Sequence, residues 1–94
     1  MSFVHDLQKI VADRIANAED GSYTSSLVKS GDLRVRQKVG EEAVETILAC
    51  EIDREHVIAE TADLIYHLVV LLETKKIRFE EIEEALQKRH EKEM

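Results

Sequence analysis

The sequence predicts an all-α protein built from four to five helices, and three observations carry that prediction. The 94 residues include no proline and only three glycines, so little interrupts long helices. Apolar residues make up 44% of the chain and recur every three to four positions, the period of amphipathic helices. Aromatic and β-branched runs that would favour strands are scarce. The length suits one domain, residues 1–94, with a modest core, and at this size a partner subunit often buries further surface.

From Ser2 to about Ala18, Phe3, Leu7, Ile10, Val11 and Ile15 fall at helical spacing, with Asp6, Lys9, Asp13 and Arg14 off that stripe. This reads as an ordinary amphipathic helix. The polar stretch Asn17 to Ser26 contains Gly21 and several hydroxyl residues, so Glu19 to Thr24 reads as the main loop, with Thr24 capping a short helix that ends near Gly31. Asp32 is a plausible N-cap for a long helix to about Glu51, burying Val35, Val39, Ala43, Ile47 and Leu48.

Asp53 then caps a third long segment running to about Lys75. It carries one stripe of Val57, Glu60, Leu64, His67 and Leu71 and another of Ile58, Ala62, Ile65, Val69 and Leu72. Two apolar faces on one helix need two covers, which points to a second subunit. The last helix runs from Phe79 to about Glu91, with Phe79, Ile82, Ala85 and Leu86 turned inward.

Charge narrows the possible functions. The formal net charge is −7. Between Val39 and Thr74 nine acids face one base, giving −8, while the rest of the chain carries +1. So concentrated an acidity fits cation binding better than solubility alone, and it argues against a nucleic-acid partner, which needs a basic face. The longest uncharged run, Leu64 to Leu72, is nine residues, far short of the ~20 needed to span a bilayer. With one cysteine, Cys50, no intramolecular disulfide can form, and nothing at the N-terminus resembles a signal peptide. No membrane association and a reducing cytoplasm are therefore expected.

The acids are also patterned: Glu41, Glu42 and Glu45, then Glu60 and Asp63. Side chains three or four apart on a helix share one face, with Cβ atoms ~5–6 Å apart, so each group makes a carboxylate cluster on its own helix. Glu60 and Asp63 lie along the stripe that seeks the core. Burying ionised carboxylates without partners is costly, whereas a divalent cation converts them into ligands. Pairing with Arg or Lys is the ordinary alternative for Glu60 and Asp63, and solvated surface is the ordinary alternative for Glu41 to Glu45. Two spaced acidic pairs on consecutive helices make coincidence less plausible. All-oxygen donors favour Mg²⁺, or Mn²⁺ as a substitute, over zinc, and Mg²⁺ commonly bridges to substrate phosphates. Metal-assisted hydrolysis of a phosphoric anhydride follows.

Lys29, Arg34, Arg36 and Lys38 precede the acidic block. Lys38 stands four residues before Glu42, the less favourable order for an intrahelical ion pair, so a phosphate contact and a solvated lysine remain comparable readings. Gly40 in mid-helix costs ~1 kcal/mol relative to alanine; it either admits a close neighbour or ligand, or is a tolerated irregularity. His67, one turn after Asp63, could donate to a ligand carboxylate or simply be satisfied in the core. Tyr66 reads as packing, and Cys50 as inert.

Three segments together, Gly21-Ser-Tyr-Thr24, Gln37-Lys-Val-Gly-Glu-Glu-Ala-Val-Glu45 and Glu60-Thr-Ala-Asp-Leu-Ile-Tyr-His-Leu68, resemble phosphoribosyl-ATP pyrophosphatase, a histidine-biosynthesis family within the MazG-like all-α nucleoside triphosphate pyrophosphatases. The resemblance covers nearly the whole chain. It implies Mg²⁺-dependent, nucleotide-binding hydrolysis of phosphoribosyl-ATP to phosphoribosyl-AMP and pyrophosphate, by a homodimer with helices packed between subunits. It further implies that Glu42, Glu45, Glu60 and Asp63 hold metal, that Glu41 assists catalysis or shapes the shell around the metal, and that Lys38, Ser22, Tyr23, Thr24 and His67 lie on the substrate side. A separate phosphoribosyl-AMP cyclohydrolase would then perform the next step, as no such domain is seen here. Arg34-Val-Arg36 departs from the lysine-containing stretch of that pattern.

A house-cleaning pyrophosphatase acting on ordinary or damaged nucleotides would use the same acids. A non-catalytic helical dimerisation module would leave them as a solvated face. A di-iron carboxylate bundle is disfavoured, because it uses Glu-x-x-His motifs and none occurs.

Overall fold

The computed structural model describes residues 2–17 and 21–93, and every described element is helical. Five α-helices follow in order: α1 (Phe3–Ala16), α2 (Tyr23–Lys29), α3 (Asp32–Ala49), α4 (Arg54–Thr74) and α5 (Phe79–Glu93). The all-α class expected from the sequence is the class observed. No helix is long and apolar enough among the described residues to cross a membrane.

The caps explain where the helices begin. Ser22, rather than Thr24, caps α2, its hydroxyl accepting from Ser25 N at 3.0 Å. Tyr23 and Thr24 are therefore helical and not loop, while residues 19–20 of the expected loop and residue 18, the expected end of the first helix, lie outside the described residues. Asp32 is likewise one position inside α3, with Gly31 as the N-cap at φ 107°, a conformation open to glycine and strained for other residues. The Asp32 carboxylate instead meets Lys75 Nζ at 2.6 Å and Arg36 Nε at 3.0 Å, so it ties the start of α3 to the end of α4. Asp53 caps α4 as expected, accepting from His56 N at 2.8 Å. At the other end of α4, Lys76 adopts φ 59° and Ile77 N donates back to Leu72 O at 2.9 Å, the backbone closure that ends a helix in a left-handed turn.

The helices α3 and α4 form an antiparallel pair, with α1 and α2 laid across it and α5 docked on α1. The core consists of Val11, Leu27, Val35, Val69 and Val70, flanked by Val4, Leu7, Ile15, Val28, Tyr66 and Leu71. Val70, fully buried, belongs to neither stripe read from the sequence. Gln8 is also buried at the centre of the α1 face and clamps the α4–α5 turn, donating to Ile77 O at 2.9 Å and accepting from Phe79 N at 2.7 Å. Its spacing with Val4, Val11 and Ile15 was the sequence signal for that position.

Several expected core residues are exposed: Phe3 and Ile10 on α1, Ile47 and Leu48 on α3, Ile58 and Ile65 on α4, Leu86 on α5. On α3 the buried positions are Val35, Glu42 and Ala49, seven residues apart. That line faces α4, whereas Ile47 and Leu48 lie off it and are left exposed among the described residues. Within α4, the first stripe turns inward at His67, and the second is covered only toward its C-terminal end, at Val69 and Leu72.

Candidate metal centre

The inner line of α4 runs Glu60, Asp63, His67, Val70, so helical spacing sets two carboxylates on the continuation of the core stripe. Opposite them, the inner line of α3 presents Glu42 between Val35 and Ala49. The antiparallel packing brings Glu42, Glu60 and Asp63 together, with one ligand atom from each within 4.8 Å of the others. Glu42 is 6% exposed, Glu60 half-buried and Asp63 exposed. Two like charges at that separation repel by roughly 3.5 kcal/mol at an effective dielectric near 20, less where solvent reaches Asp63.

Two oxygens in this cluster, Glu42 Oε2 and Glu60 Oε2, are buried without a hydrogen-bond donor among the described residues. Buried acceptors of this kind are rarely left unmatched. Glu45 adds another carboxyl beside Glu60. The Glu60 carboxylate beside it, and then Glu42, push the Glu45 carboxyl above its usual range. In its ionised form Glu45 is a further acceptor and offers these oxygens no proton. A hard divalent cation fits the set: the donors are all oxygen, the charge is negative, and an oxygen of each of three carboxylates lies within 4.8 Å of the others.

Of the five patterned acids, Glu42, Glu60 and Asp63 form the cluster and Glu45 adjoins it. Glu41 points elsewhere, 43% exposed, with its carboxylate 3.6 Å from both Arg34 Nη1 and Lys38 Nζ. Lys38 Nζ also lies 3.3 Å from Glu42 Oε1. Partial burial opposes the lysine charge, but Glu42, Tyr23 and Glu41 outweigh it and hold the Lys38 ammonium above its usual range. The intrahelical pair thus forms despite its less favourable order, because the α3–α4 packing removes Glu42 from solvent and the ammonium is its counter-charge.

The segment Ser22 to Thr24 sits against α4. Tyr23 Oη lies 3.0 Å from His67 Nε2, and Thr24 Oγ1 hydrogen-bonds Tyr66 Oη. His67 is 5% exposed, and its Nδ1 donates to Asp63 O at 2.7 Å. Both ring nitrogens are therefore engaged within the protein, and the bond goes to the Asp63 backbone rather than to a ligand carboxylate. Thr24 is buried as well, whereas Tyr23 is 53% exposed. The Tyr66 partnership with Thr24 was missed from sequence, since a tyrosine on an apolar stripe carries no marker of its hydroxyl's partner. A recess of about 190 Å³ lined by Glu45, Leu48, Ala49, Ile52, His56 and Glu60 adjoins the cluster. Outside its own stretch of helix, no atom of the described residues lies within 4 Å of where a Gly40 Cβ would stand, so no close neighbour among them accounts for that glycine.

Comparison with known proteins identifies the family of the chain. The family described as Phosphoribosyl-ATP pyrophosphohydrolase matches residues 4–90. Phosphoribosyl-ATP pyrophosphatase 1 of Bradyrhizobium diazoefficiens is 49% identical over 92% of this chain and 82% of its own length. The phosphoribosyl-ATP pyrophosphatase of Metallosphaera sedula is 47% identical over 92% of this chain and 94% of its own length. The histidine biosynthesis bifunctional protein HisIE of Buchnera aphidicola is 50% identical over 98% of this chain, which spans 43% of that protein. The chain belongs to the phosphoribosyl-ATP pyrophosphohydrolase family.

Proposed function

We propose that this protein hydrolyses the α–β anhydride of phosphoribosyl-ATP to phosphoribosyl-AMP and pyrophosphate with Mg²⁺ held by Glu42, Glu60 and Asp63, Glu45 completing the set. The observation that carries this reading is the convergence of three carboxylates with two buried oxygens lacking donors. It occurs in a chain similar over most of its length to enzymes named for that substrate. When bound, the cation supplies Lewis-acid stabilisation of the charge that builds on the phosphoryl oxygens.

The chain's own residues do the rest. Lys38, protonated and anchored by Glu42, can turn its ammonium to a phosphate oxygen without leaving the cluster. Glu41 stands outside the cluster, its carboxylate 3.6 Å from Arg34 Nη1 and Lys38 Nζ, so it assists through the placement of the Lys38 ammonium rather than as a metal ligand. Tyr23, exposed at the start of α2, is the member of the Ser22 to Thr24 segment best placed to meet substrate.

The exposed apolar side chains Val44, Ile47 and Leu48 on α3, Ile52 in the α3–α4 turn and Ile58 on α4 support a homodimer, because a cluster of large apolar residues left in water is often an interaction surface. The exposed, unpaired thiol of Cys50 fits a reducing cytoplasmic setting. A phosphoribosyl-AMP cyclohydrolase activity would consume the product. The test is pyrophosphate release from phosphoribosyl-ATP and from a panel of nucleoside triphosphates, with and without Mg²⁺. Mg²⁺-dependent turnover of phosphoribosyl-ATP is expected, and turnover of ordinary deoxynucleotides alone would transfer the chain to the house-cleaning reading.

A further inference from the structure

Asp63 is the most exposed member of the carboxylate cluster, yet its backbone is held by a chain of hydrogen bonds that begins two helices away. The Asp63 carbonyl can only accept, so the 2.7 Å bond requires the proton on His67 Nδ1. In the neutral ring Nε2 is then the acceptor, and the 3.0 Å contact must be donated by the Tyr23 hydroxyl. The direction is fixed throughout: Tyr23 O–H to His67 Nε2, His67 Nδ1–H to Asp63 C=O.

The rings pack as the bonds require. Tyr23 meets His67 edge-on at 5.8 Å between centroids, and Tyr66 braces the other side of the imidazole at 5.1 Å. With His67 only 5% exposed, the imidazole cannot reorient without breaking one of these bonds in a dry environment, where an unpaired polar group is costly. A second, parallel link joins the same two helices one residue further on, Thr24 to Tyr66. That link ends on a side chain and touches neither Asp63 nor any other member of the cluster.

We propose that Tyr23 and His67 are positioning residues for the cation site: the α2 tyrosine, acting through the buried imidazole, fixes the α4 turn from which Asp63 presents its carboxylate. This deepens the cation-binding reading and rests on it. The start of α2 thereby becomes part of the support of the metal centre, so that a change at Tyr23 alters how Asp63 is offered. Partners that orient ligands typically change metal affinity 10–100-fold when removed, and an effect relayed through a backbone carbonyl belongs at the lower end.

The experiment measures binding of Mn²⁺ alone by electron paramagnetic resonance, without substrate, in the full chain. Tyr23→Phe keeps the ring and deletes the hydroxyl, and about tenfold weaker Mn²⁺ binding is expected. His67→Asn keeps a donor near the Nδ1 position and loses the acceptor for Tyr23, so it should weaken binding to a similar degree. The double variant should be no worse than either single one, because both break the same chain. Tyr66→Phe deletes the parallel link and should leave Mn²⁺ affinity at the wild-type value, although it loosens the same two helices.

Equal losses in Tyr23→Phe and Tyr66→Phe would show a merely structural stitch and overturn the proposal. So would wild-type affinity in Tyr23→Phe. Failure of the wild-type chain itself to bind Mn²⁺ would overturn the cation-site reading, and this proposal with it, and is distinguished from the other outcomes before any variant is made.

Discussion

Lys38 holds its ammonium 3.3 Å from Glu42 Oε1, while the other oxygen of the same carboxylate, Oε2, is buried with no hydrogen-bond donor among the described residues. One carboxylate thus has one oxygen balanced by the chain and one directed into a cluster of like charge. The lysine makes burial of Glu42 tolerable before a cation arrives, and the vacant lone pairs give a cation its incentive. The following expectations turn on that division.

Glu42→Gln and Asp63→Asn each remove a charge from the cluster while preserving shape. Pyrophosphate release from phosphoribosyl-ATP should fall by roughly two orders of magnitude or more, the rate equivalent of several kcal/mol of charge stabilisation. Helical circular dichroism should persist, and in metal-free buffer the melting temperature should stay level or rise as repulsion is relieved. Activity near wild type in both would remove these residues from the reaction.

Lys38→Met separates two roles of one ammonium. Without it the buried Glu42 carboxylate loses its counter-charge, and the metal-free protein should lose about 2 kcal/mol in a denaturant titration. Mg²⁺ binding by calorimetry should tighten, since nothing competes for Glu42 Oε1, while KM for the substrate rises. Weaker Mg²⁺ binding would contradict the geometry.

The pH dependence of the metal-free protein has a definite sign. The Glu45 carboxyl is pushed up by Glu60 and then Glu42, so its contribution is fully present below the ordinary glutamate range and is lost as pH rises through the raised value. Asp32, held down chiefly by Lys75, and Asp53, held down by the His56 backbone and ring, contribute above the ordinary aspartate range and lose that contribution as pH falls through their lowered values. Melting curves in EDTA from about pH 3 to 8 should therefore peak under mildly acidic conditions. Added Mg²⁺ should move the peak upward, because the cation neutralises the repulsion that penalises ionised Glu45.

Ile47→Asp and Ile58→Asp place charge in the uncovered face of α3 and α4, where the wild-type residues are 69% and 56% exposed. Sedimentation equilibrium should show wild type at twice the 10.8 kDa chain mass and the variants shifted toward the single chain. A wild-type protein that sediments as one chain at micromolar concentration would leave that face without the proposed cover.

Much of the fold was legible because helix formation here depends on local properties. Periodicity, the absence of proline and the Asp53 cap located α4 within a residue, and the same rules misplaced the α2 and α3 starts by one or two positions. At those sites the choice between neighbouring caps was made by contacts the sequence does not display, as when Lys75 draws the Asp32 carboxylate across to α4. The acidic pattern was equally legible, since Glu42, Glu45, Glu60 and Asp63 owe their facing to 3.6-residue geometry alone. Glu41 illustrates the limit: adjacent in sequence to Glu42, it points about 100° around the helix and meets Arg34 and Lys38 instead.

The sequence by itself determined an all-α chain, two helices each bearing a carboxylate face, and an apolar surplus greater than one small core can bury. These follow from composition and from spacing along single helices, which are local. Tertiary structure alone decided which three carboxylates converge, which oxygens are left without donors, and that His67 joins Tyr23 to the Asp63 backbone. Those relations depend on the offset and rotation of α3 against α4 and on the seat of α2. They are fixed by packing around Val35, Val69 and Val70, where close-packed side chains admit few arrangements and helical periodicity is silent.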